Sequence, residues 1–435
     1  MFQSRIPAGL TALSLLLSQT LASRVPYSNT QTWSIPSALQ NGTVASRLTI
    51  ATPNEATLST ATRLTLDSPQ ISKVTADSFD WWYFDAVSSS SAAESLTITL
   101  FTAASSAFPW LSSTEDTVLI AYLWAGFENG TVFTDYVPAT LATVSSGGAG
   151  ESGVWDGSGF GWVASEDLSF YEVVVESKEM GVYGTFSLES QQSPHLPCGI
   201  QGTTSTLEIV PNIGWASLVP DSVGNVDLTI QGSTLKFQGR GYHDKPWSSH
   251  VRATLTRQPH SISNPNPNPK TMHRTPSNVF FLQNWSNLTF AESVQSWYWG
   301  HGLVGDYSIV WFSAIATDNT TYTSSYVALD NEVVVSSCDA ASLTVRPVSG
   351  NSTTNPTGAQ YPPRMGDVPD GFTVEAELAD GAWLKVNVSI AALVSGDGET
   401  YTRWSGDLVG SVVSSAGVQS VGSGVAVFEQ FTLVE

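Results

Sequence analysis

Asp80-Trp81-Trp82-Tyr83-Phe84-Asp85 (DWWYFD) puts aromatic rings on both sides of any strand it forms. Successive side chains of a strand point to opposite faces. Asp80, Trp82 and Phe84 therefore share one face, and Trp81, Tyr83 and Asp85 the other. Each face is aromatic and each carries a carboxylate at one end. A strand with one wet face would alternate apolar with polar instead. Two readings fit: a core strand capped by acids at its ends, or a strand lying between a core and a cavity.

Two further clusters divide in the same way. In Gly241-Tyr242-His243-Asp244-Lys245, Tyr242 and Asp244 share one face and His243 and Lys245 the other. One reading is a strand end with a solvated Asp–Lys pair, which stabilises little. The other sets a donor such as His243 or Tyr242 against a substrate carbonyl. In Trp297-Tyr298-Trp299-Gly300-His301-Gly302, Trp297, Trp299 and His301 fall together. Flat rings in a row, with glycines that admit close approach, form either a pocket wall or a tryptophan-rich core.

Outside these clusters the chain is a succession of short β-branched and aromatic runs, such as ESLTITLF, TVLIAYLW, FYEVVVES, YSIVWFSAI and WLKVNVSI, separated by Gly, Asn, Asp and Ser. No long helical period and no internal repeat interrupts them. The pattern predicts an all-β chain of sandwich or barrel architecture. The 435 residues suffice for two or three domains. A net charge of −21 excludes a nucleic-acid partner and docking to an anionic membrane.

The first 22 residues read as a secretory signal: Arg5, then the apolar run Ala8–Leu17, then small residues up to Ala22. That run is too short to span a bilayer, so no membrane insertion is expected once it is removed. The sequons at Asn41, Asn129, Asn284, Asn287, Asn319, Asn351 and Asn387 fit export as N-glycosylation sites, and the expected destination is the secretory pathway or outside the cell. Cys198 and Cys338 are the only cysteines, so they form one disulfide or remain two separate buried thiols.

Familiar catalytic patterns are missing. There is no G-x-S-x-G elbow. Gly148–Gly153 matches G-x-G-x-x-G but lacks the helix a dinucleotide site needs. His260 and His273 lie in an odd segment, and no histidine pair has metal-ligand spacing, so no metal is expected. The odd segment, residues 251–283, holds five prolines, four Lys/Arg and no acid. It reads as a surface loop between two β domains or as translated intron.

As a set, DWWYFDAVS, GYHDK with the later Asn284-Trp285, and SWYWGHGLVGDYSIVWF resemble the motifs of the fungal polyketide-associated Diels–Alderases. That family is related to carotenoid 1,2-hydratases (hydroxyneurosporene synthases) and lipocalin-like proteins. The resemblance runs from about Ser78 to the end of the chain. One departure is clear: the family pattern passes from His-Asp-Lys directly into Asn-Trp, whereas here Pro246–Gln283 intervenes.

The resemblance implies an N-terminal β-sandwich-like domain over residues 23–250 and a C-terminal lipocalin-like β-barrel over 284–435, with an aromatic pocket between or within them. It implies intramolecular [4+2] cycloaddition of a polyketide-derived polyene, linked to a tetramic acid or pyrrolinone, to a decalin or macrocycle-fused ring. No cofactor is implied, and the partner is a hydrophobic small molecule bound by a monomer. Trp82, Tyr83, Trp297 and Trp299 would shape the cavity. Tyr242, His243 and His301 are the candidate donors, and Asp85 an orienting acceptor.

Such chemistry needs no nucleophile and no net proton transfer. Well-oriented intramolecular reactions gain up to about 7–11 kcal/mol from positioning. Two other classes stay open. An alkene hydratase of the carotenoid type would need a carboxylic acid held neutral, at Asp80, Asp85 or Asp244. A non-catalytic lipocalin-like carrier would bind an apolar metabolite without turnover.

Overall fold

The computed structural model describes residues 30–47, 66–107, 117–147, 150–200, 206–248, 289–349, 359–378 and 381–435. The signal segment 1–22, the segment 251–283 and the sequons at Asn284, Asn287 and Asn351 lie outside the described residues. The chain is almost entirely strand, as the alternating runs predict.

Fifteen strands form the first sheet: β1 (Gln31–Pro36), β2 (Phe79–Ser88), β3 (Ser95–Ala103), β4 (Leu119–Gly126), β5 (Val132–Pro138), β6 (Leu141–Gly147), β7 (Gly150–Asp156), β8 (Phe160–Ala164), β9 (Phe170–Ser177), β10 (Val182–Ser190), β11 (His195–Leu196), β12 (Gly199–Ile200), β13 (Glu208–Val210), β14 (Ile213–Ile230) and β15 (Ser233–Ser248). A single helical turn, α1 (Phe290–Ser293), leads into the second sheet. That sheet holds nine strands: β16 (Val294–Val304), β17 (Tyr307–Ala316), β18 (Thr321–Leu329), β19 (Glu332–Ser337), β20 (Leu343–Val348), β21 (Gly371–Glu377), β22 (Trp383–Gly396), β23 (Tyr401–Ser414) and β24 (Gly417–Thr432).

The main path of the first sheet is β1-β6-β7-β8-β9-β10-β14-β15-β2-β3-β4-β5. It rolls over so that its two ends face each other. Trp82 of β2 meets Trp155 of β7 edge-on at 5.1 Å, and Trp155 Nε1 donates to the Phe101 carbonyl of β3. The second sheet runs β19-β18-β17-β16-β24-β23-β22-β21-β20 and curls until its ends touch, Ser325 of β18 bonding Ser342 beside β20 at 3.1 Å. Side chains fill its interior, chiefly Tyr298, Trp311, Phe372, Trp404 and Phe428. Gly300 is needed there, because a Cβ at that position would sit 2.3 Å from the Trp311 ring. The resulting half-barrel and barrel fit the expected all-β, lipocalin-like class.

A third core lies between the two sheets, and DWWYFD borders it. Trp82 and Phe84 belong to the core inside the first sheet, whereas Trp81 and Tyr83 belong to the core between the sheets. Of the two readings of this stretch, the second is the nearer: β2 has the first sheet's core on one face, and on the other a core between the sheets that contains a narrow crevice lined by Trp81 and Tyr83. β15 shares that condition, since it pairs with β2 and each face of the ladder has its own neighbours.

The inner face of the ladder carries a buried polar cluster. Lys245 Nζ contacts the Asp80 carboxylate, which also accepts the Gln70 backbone N–H at 2.8 Å. Lys245 lies 3.5 Å from the Trp82 ring centre. His243 stacks on Phe84 at 4.1 Å, donates Nδ1–H to the Tyr83 carbonyl, and bonds Asp67 through Nε2 at 3.0 Å. Asp244 and Lys245 therefore form no solvated pair at a strand end: Lys245 is buried against Asp80, and Asp244 faces the other way toward Trp215 and Tyr242. Burial pushes the Asp80 carboxyl up and the Lys245 ammonium down, against the mutual attraction of the pair.

Cys198, in the β11–β12 hairpin, is disulfide-bonded to Cys338, just past β19, and so ties the two sheets together. His195 reinforces the tie. The Ser324 hydroxyl donates to the Pro197 carbonyl at 2.7 Å, so the 2.9 Å bond from His195 Nε2 to Ser324 must use an Nε2–H. Nδ1 then accepts from Ser336 at 3.0 Å. Burial lowers the His195 pKa to about 3, in keeping with this neutral tautomer.

Removing one member of a buried ion pair leaves an uncompensated charge, at a loss of about 3–5 kcal/mol. Lys245→Met is therefore expected to destabilise the protein by about that amount, and Asp80→Asn in the same chain to recover most of it. Urea unfolding midpoints of the two variants check this; equal midpoints would show that the pair is not what supports the inner face.

Candidate active site

Strand register assembles the site. On the outer face of the β2–β15 ladder, Asp85 stands opposite Tyr242, and Tyr83 opposite Asp244. Facing them, one row crosses the second sheet: Phe312 of β17 lies opposite Trp299 of β16, Trp299 opposite Glu429 of β24, and Glu429 opposite Arg403 of β23. The two faces meet around a crevice. The first sheet contributes Trp81, Tyr83, Ile209, Ile213, Trp215, Asp244 and Pro246; the second contributes Trp297, Trp299, Phe312, Arg403 and Glu429, with Phe290 of α1 beside them.

The crevice is narrower than a chamber for a coiled polyene. Its volume is about 50 Å³. Interlocked rings account for this: Trp297 sits 4.7 Å from Phe290, 5.1 Å from Phe431 and 5.5 Å from Phe312. A wider hollow of about 550 Å³ opens beside β1, lined in part by Trp33, Arg47, Gln70 and Lys73. None of the three aromatic clusters lines it.

Two carboxylates face the crevice in different environments. Asp244 Oδ2 accepts Trp215 Nε1–H at 2.9 Å and the Tyr242 hydroxyl at 3.0 Å. Oδ1 has no hydrogen bond to any described residue. Burial raises the Asp244 pKa to about 7, partly offset by those two donors. A proton on this carboxyl belongs on Oδ1, because both donors occupy Oδ2. The neutral form therefore presents an O–H donor from an apolar wall.

Glu429 is wrapped instead. Its Oε1 accepts Trp297 Nε1–H at 2.9 Å, and its Oε2 accepts the Tyr401 hydroxyl at 2.9 Å and Arg403 through Nε at 2.9 Å and Nη2 at 2.6 Å. The Arg403 guanidinium lies over the Tyr83 ring at 4.5 Å.

Of the residues singled out in the sequence, Tyr83, Trp297 and Trp299 line the crevice. Tyr242, Asp85 and His301 stand one layer behind. The Tyr242 ring stacks on His301 at 4.4 Å, His301 Nε2 bonds the Asp85 oxygens at 2.9 and 3.0 Å, and Tyr83 donates to Asp85 at 2.5 Å. Trp82 and His243 lie on the far side of the ladder, in the first sheet's interior, because strand alternation turns them away. Trp215, Arg403, Glu429, Phe290 and Phe312 were not anticipated. Arg403 and Glu429 did leave a trace: each is a lone charge inside an aromatic strand, YTRWSG and VFEQF.

β15 continues through Pro246 to Ser248, where Trp247 pairs with Asp80, so the strand runs three residues into the stretch that the resemblance treats as intervening. The described part of the G-x-G-x-x-G stretch, Gly150–Gly153, lies in β7 and is followed by β8 rather than by a helix. Among the described residues no group of three or more His, Cys, Asp or Glu side chains could hold a metal.

A half-barrel joined to a barrel, with an aromatic crevice and a buried acid at their junction, defines a lipocalin-like class of β protein. Comparison with known proteins narrows it: the chain belongs to the Diels-Alderase-like family, whose model matches residues 41–262. It is 32% identical to the quinolone epoxide rearrangement protein asqO of Emericella nidulans over 318 residues, 72% of this chain and 73% of that protein. Over 139 residues it is 26% identical to the Diels-Alderase pyiF of Pyricularia grisea, 30% of this chain and 32% of that protein. A crystal structure of CghA with Sch210972 shares the fold at a TM-score of 0.65 and 14% identity, covering 93% of this chain and 99% of that one. Family membership makes the chain an isomerase-type enzyme of secondary metabolism.

The Asp244 carboxyl should be visible directly. A protonated-carboxyl stretch in the infrared is expected to titrate with a midpoint near the value of about 7 and to vanish in Asp244→Asn. Tyr242→Phe removes a donor that favours the carboxylate, so the midpoint should move up. The folded pKa lies above the unfolded one, so this group's contribution to stability is full below about pH 4 and falls as pH rises through about 7. A band absent in the wild type at pH 5 would refute the neutral acid.

Proposed function

We propose that the crevice closes a flexible conjugated substrate by intramolecular [4+2] cycloaddition, with Asp244 as the hydrogen-bond donor to the carbonyl that activates the dienophile. The observation that carries this is the Asp244 carboxyl, whose Oδ2 is doubly bonded and whose Oδ1 is left for the crevice. The reaction is an isomerisation: two C–C σ bonds form, the π electrons rearrange, and no atom enters or leaves. A donor to the carbonyl withdraws electron density from the adjoining alkene and lowers the barrier by about 1–3 kcal/mol. Tyr83, Trp299 and Trp297 hold the chain so that diene meets dienophile, the larger contribution.

Tyr242, with His301 and Asp85 behind it, orients the acid. Asp85 accepts from Tyr83 and His301, and His301 supports the Tyr242 ring by stacking. Because a polyene does not fit the closed crevice, the rings around Phe290 and Trp297 move apart on binding.

A second reading has its own support. The match to the quinolone epoxide rearrangement protein is longer and closer than the match to the Diels-Alderase. In an epoxide rearrangement, a neutral Asp244 would transfer its proton to the epoxide oxygen as the C–O bond breaks, and regain one when the product forms. Both readings use one acid, in one case as a donor and in the other as a source of protons.

The proposal extends to the setting. Residues 1–22 are a signal, and the described sequons Asn41, Asn129, Asn319 and Asn387 are all exposed, as glycosylation requires. The disulfide fits a secretory-pathway monomer, with domains over 23–250 and 284–435. No helix among the described residues is long and apolar enough to cross a membrane.

Incubation with a linear polyenoyl tetramic acid and, separately, with a quinolone epoxide tests both readings. The rate should fall as pH rises past about 7, where Asp244 ionises. Asp244→Asn keeps an N–H donor but has no proton to give. Cycloaddition should survive it within about tenfold and lose its pH dependence, whereas epoxide rearrangement should drop about a hundredfold or more. Conversion of neither substrate above the buffer rate refutes the proposal, and tight binding without conversion marks a carrier.

A further inference from the structure

The second sheet's wall holds two donors that the Asp244 chemistry does not use. Arg403 directs Nε and Nη2 to Glu429, and its Nη1 has no hydrogen bond to any described residue. Arg403 is 8% exposed and its plane is fixed by Tyr83. Beside it, Trp299 is 3% exposed, and its indole N–H is buried without a hydrogen-bond acceptor. That N–H approaches the Tyr242 hydroxyl and lowers its pKa slightly against the larger effect of burial, but the contact falls short of full hydrogen-bond geometry. A buried donor left unpaired is costly, so the Trp299 N–H favours any acceptor that reaches it. Trp297, two residues away on the same face, spends its N–H on Glu429. The unmet donors are therefore local to Trp299 and Arg403, and both belong to residues that line the crevice.

We propose that Arg403 Nη1 and Trp299 Nε1 form a two-donor subsite for an oxygen of a planar, conjugated carbonyl head on the substrate, across the crevice from Asp244. The inference rests on the reading of the crevice as the substrate site. A guanidinium edge and an indole N–H both prefer an oxygen that carries delocalised negative charge, as in the enol or enolate of a cyclic amide. The flat surfaces of Trp299 and Tyr83 suit a planar ring beside that oxygen. Asp244 then acts on the reactive arm while Arg403 and Trp299 hold the head. This makes the pair specificity residues rather than proton donors.

Calorimetric titration with 4-hydroxyquinolin-2(1H)-one and with quinoline, which has the same ring frame but neither oxygen, tests the subsite without any turnover. The wild type is expected to prefer the oxygenated probe by about tenfold or more, and Trp299→Phe and Arg403→Lys each to reduce that preference to about threefold or less. Phe312→Leu, which alters the wall without a polar atom, should weaken both probes alike and keep the ratio. Trp299→Phe retains the ring and leaves the Glu429 hydrogen bonds in place, so it decides the matter if Arg403→Lys fails to fold by circular dichroism. No preference in the wild type, or an unchanged preference in Trp299→Phe, overturns the subsite. Because catalysis is not read, failure of the cycloaddition or rearrangement assays leaves this result separate.

Discussion

The structure depends on a ladder buried on both faces. β2 and β15 lie at the centre of the first sheet, with that sheet's interior on one side and the second sheet on the other. Neither face reaches water, so every polar side chain on the ladder needs a partner within the protein. On the inner side Asp80 finds Lys245, and His243 finds Asp67 and a backbone carbonyl. On the outer side Asp85 finds His301 and Tyr83, and Asp244 finds Trp215 and Tyr242. Alternation thus sorts one dense run of side chains into a structural set and a set that reaches the crevice.

Within the outer set, the acids differ in what compensates them. Glu429 has a guanidinium, a phenol and an indole around it. Asp244 has an indole and a phenol on a single oxygen and no cation in hydrogen-bond contact. Burial without a compensating charge favours the neutral acid. Two carboxylates on facing walls are thereby given different tasks by their surroundings alone, a pattern that lets one site present a proton donor beside a fixed ionic pair. Chemistry that needs only a donor and a shaped wall is compatible with so small a set of polar groups.

Much of the fold was legible because strand periodicity is local. The division of DWWYFD and GYHDK into two faces follows from alternation, and the structure keeps that division residue by residue. Which face belongs to which core was not legible, because it depends on strands more than a hundred residues away. For that reason Trp82 and His243 were grouped with Tyr83 and Tyr242, although they face opposite ways. Asp244 was named only for an alternative chemistry, since its neutrality depends on burial between the two sheets, which no local motif announces. Arg403 and Glu429 were passed over because a lone charge in a strand reads as solvent-facing until its register partner is known.

On the proposed function, the same division of labour would let a crevice of water-sized room serve a larger molecule. The disulfide and the His195 bonds to Ser324 and Ser336 join the sheets through directional links that tolerate little separation. Around Phe290, Trp297 and Phe312 the walls meet through ring contacts. Such contacts are non-directional, and an apolar substrate can replace them with contacts of similar strength. Opening is therefore least costly on the aromatic side, where the substrate restores what the rings give up. Asp244 is held meanwhile by Trp215 and Tyr242 within the first sheet, and Glu429 by Arg403 within the second. A shape-imposing site requires both properties, because a wall that moved with its donors would lose the alignment on which positioning depends.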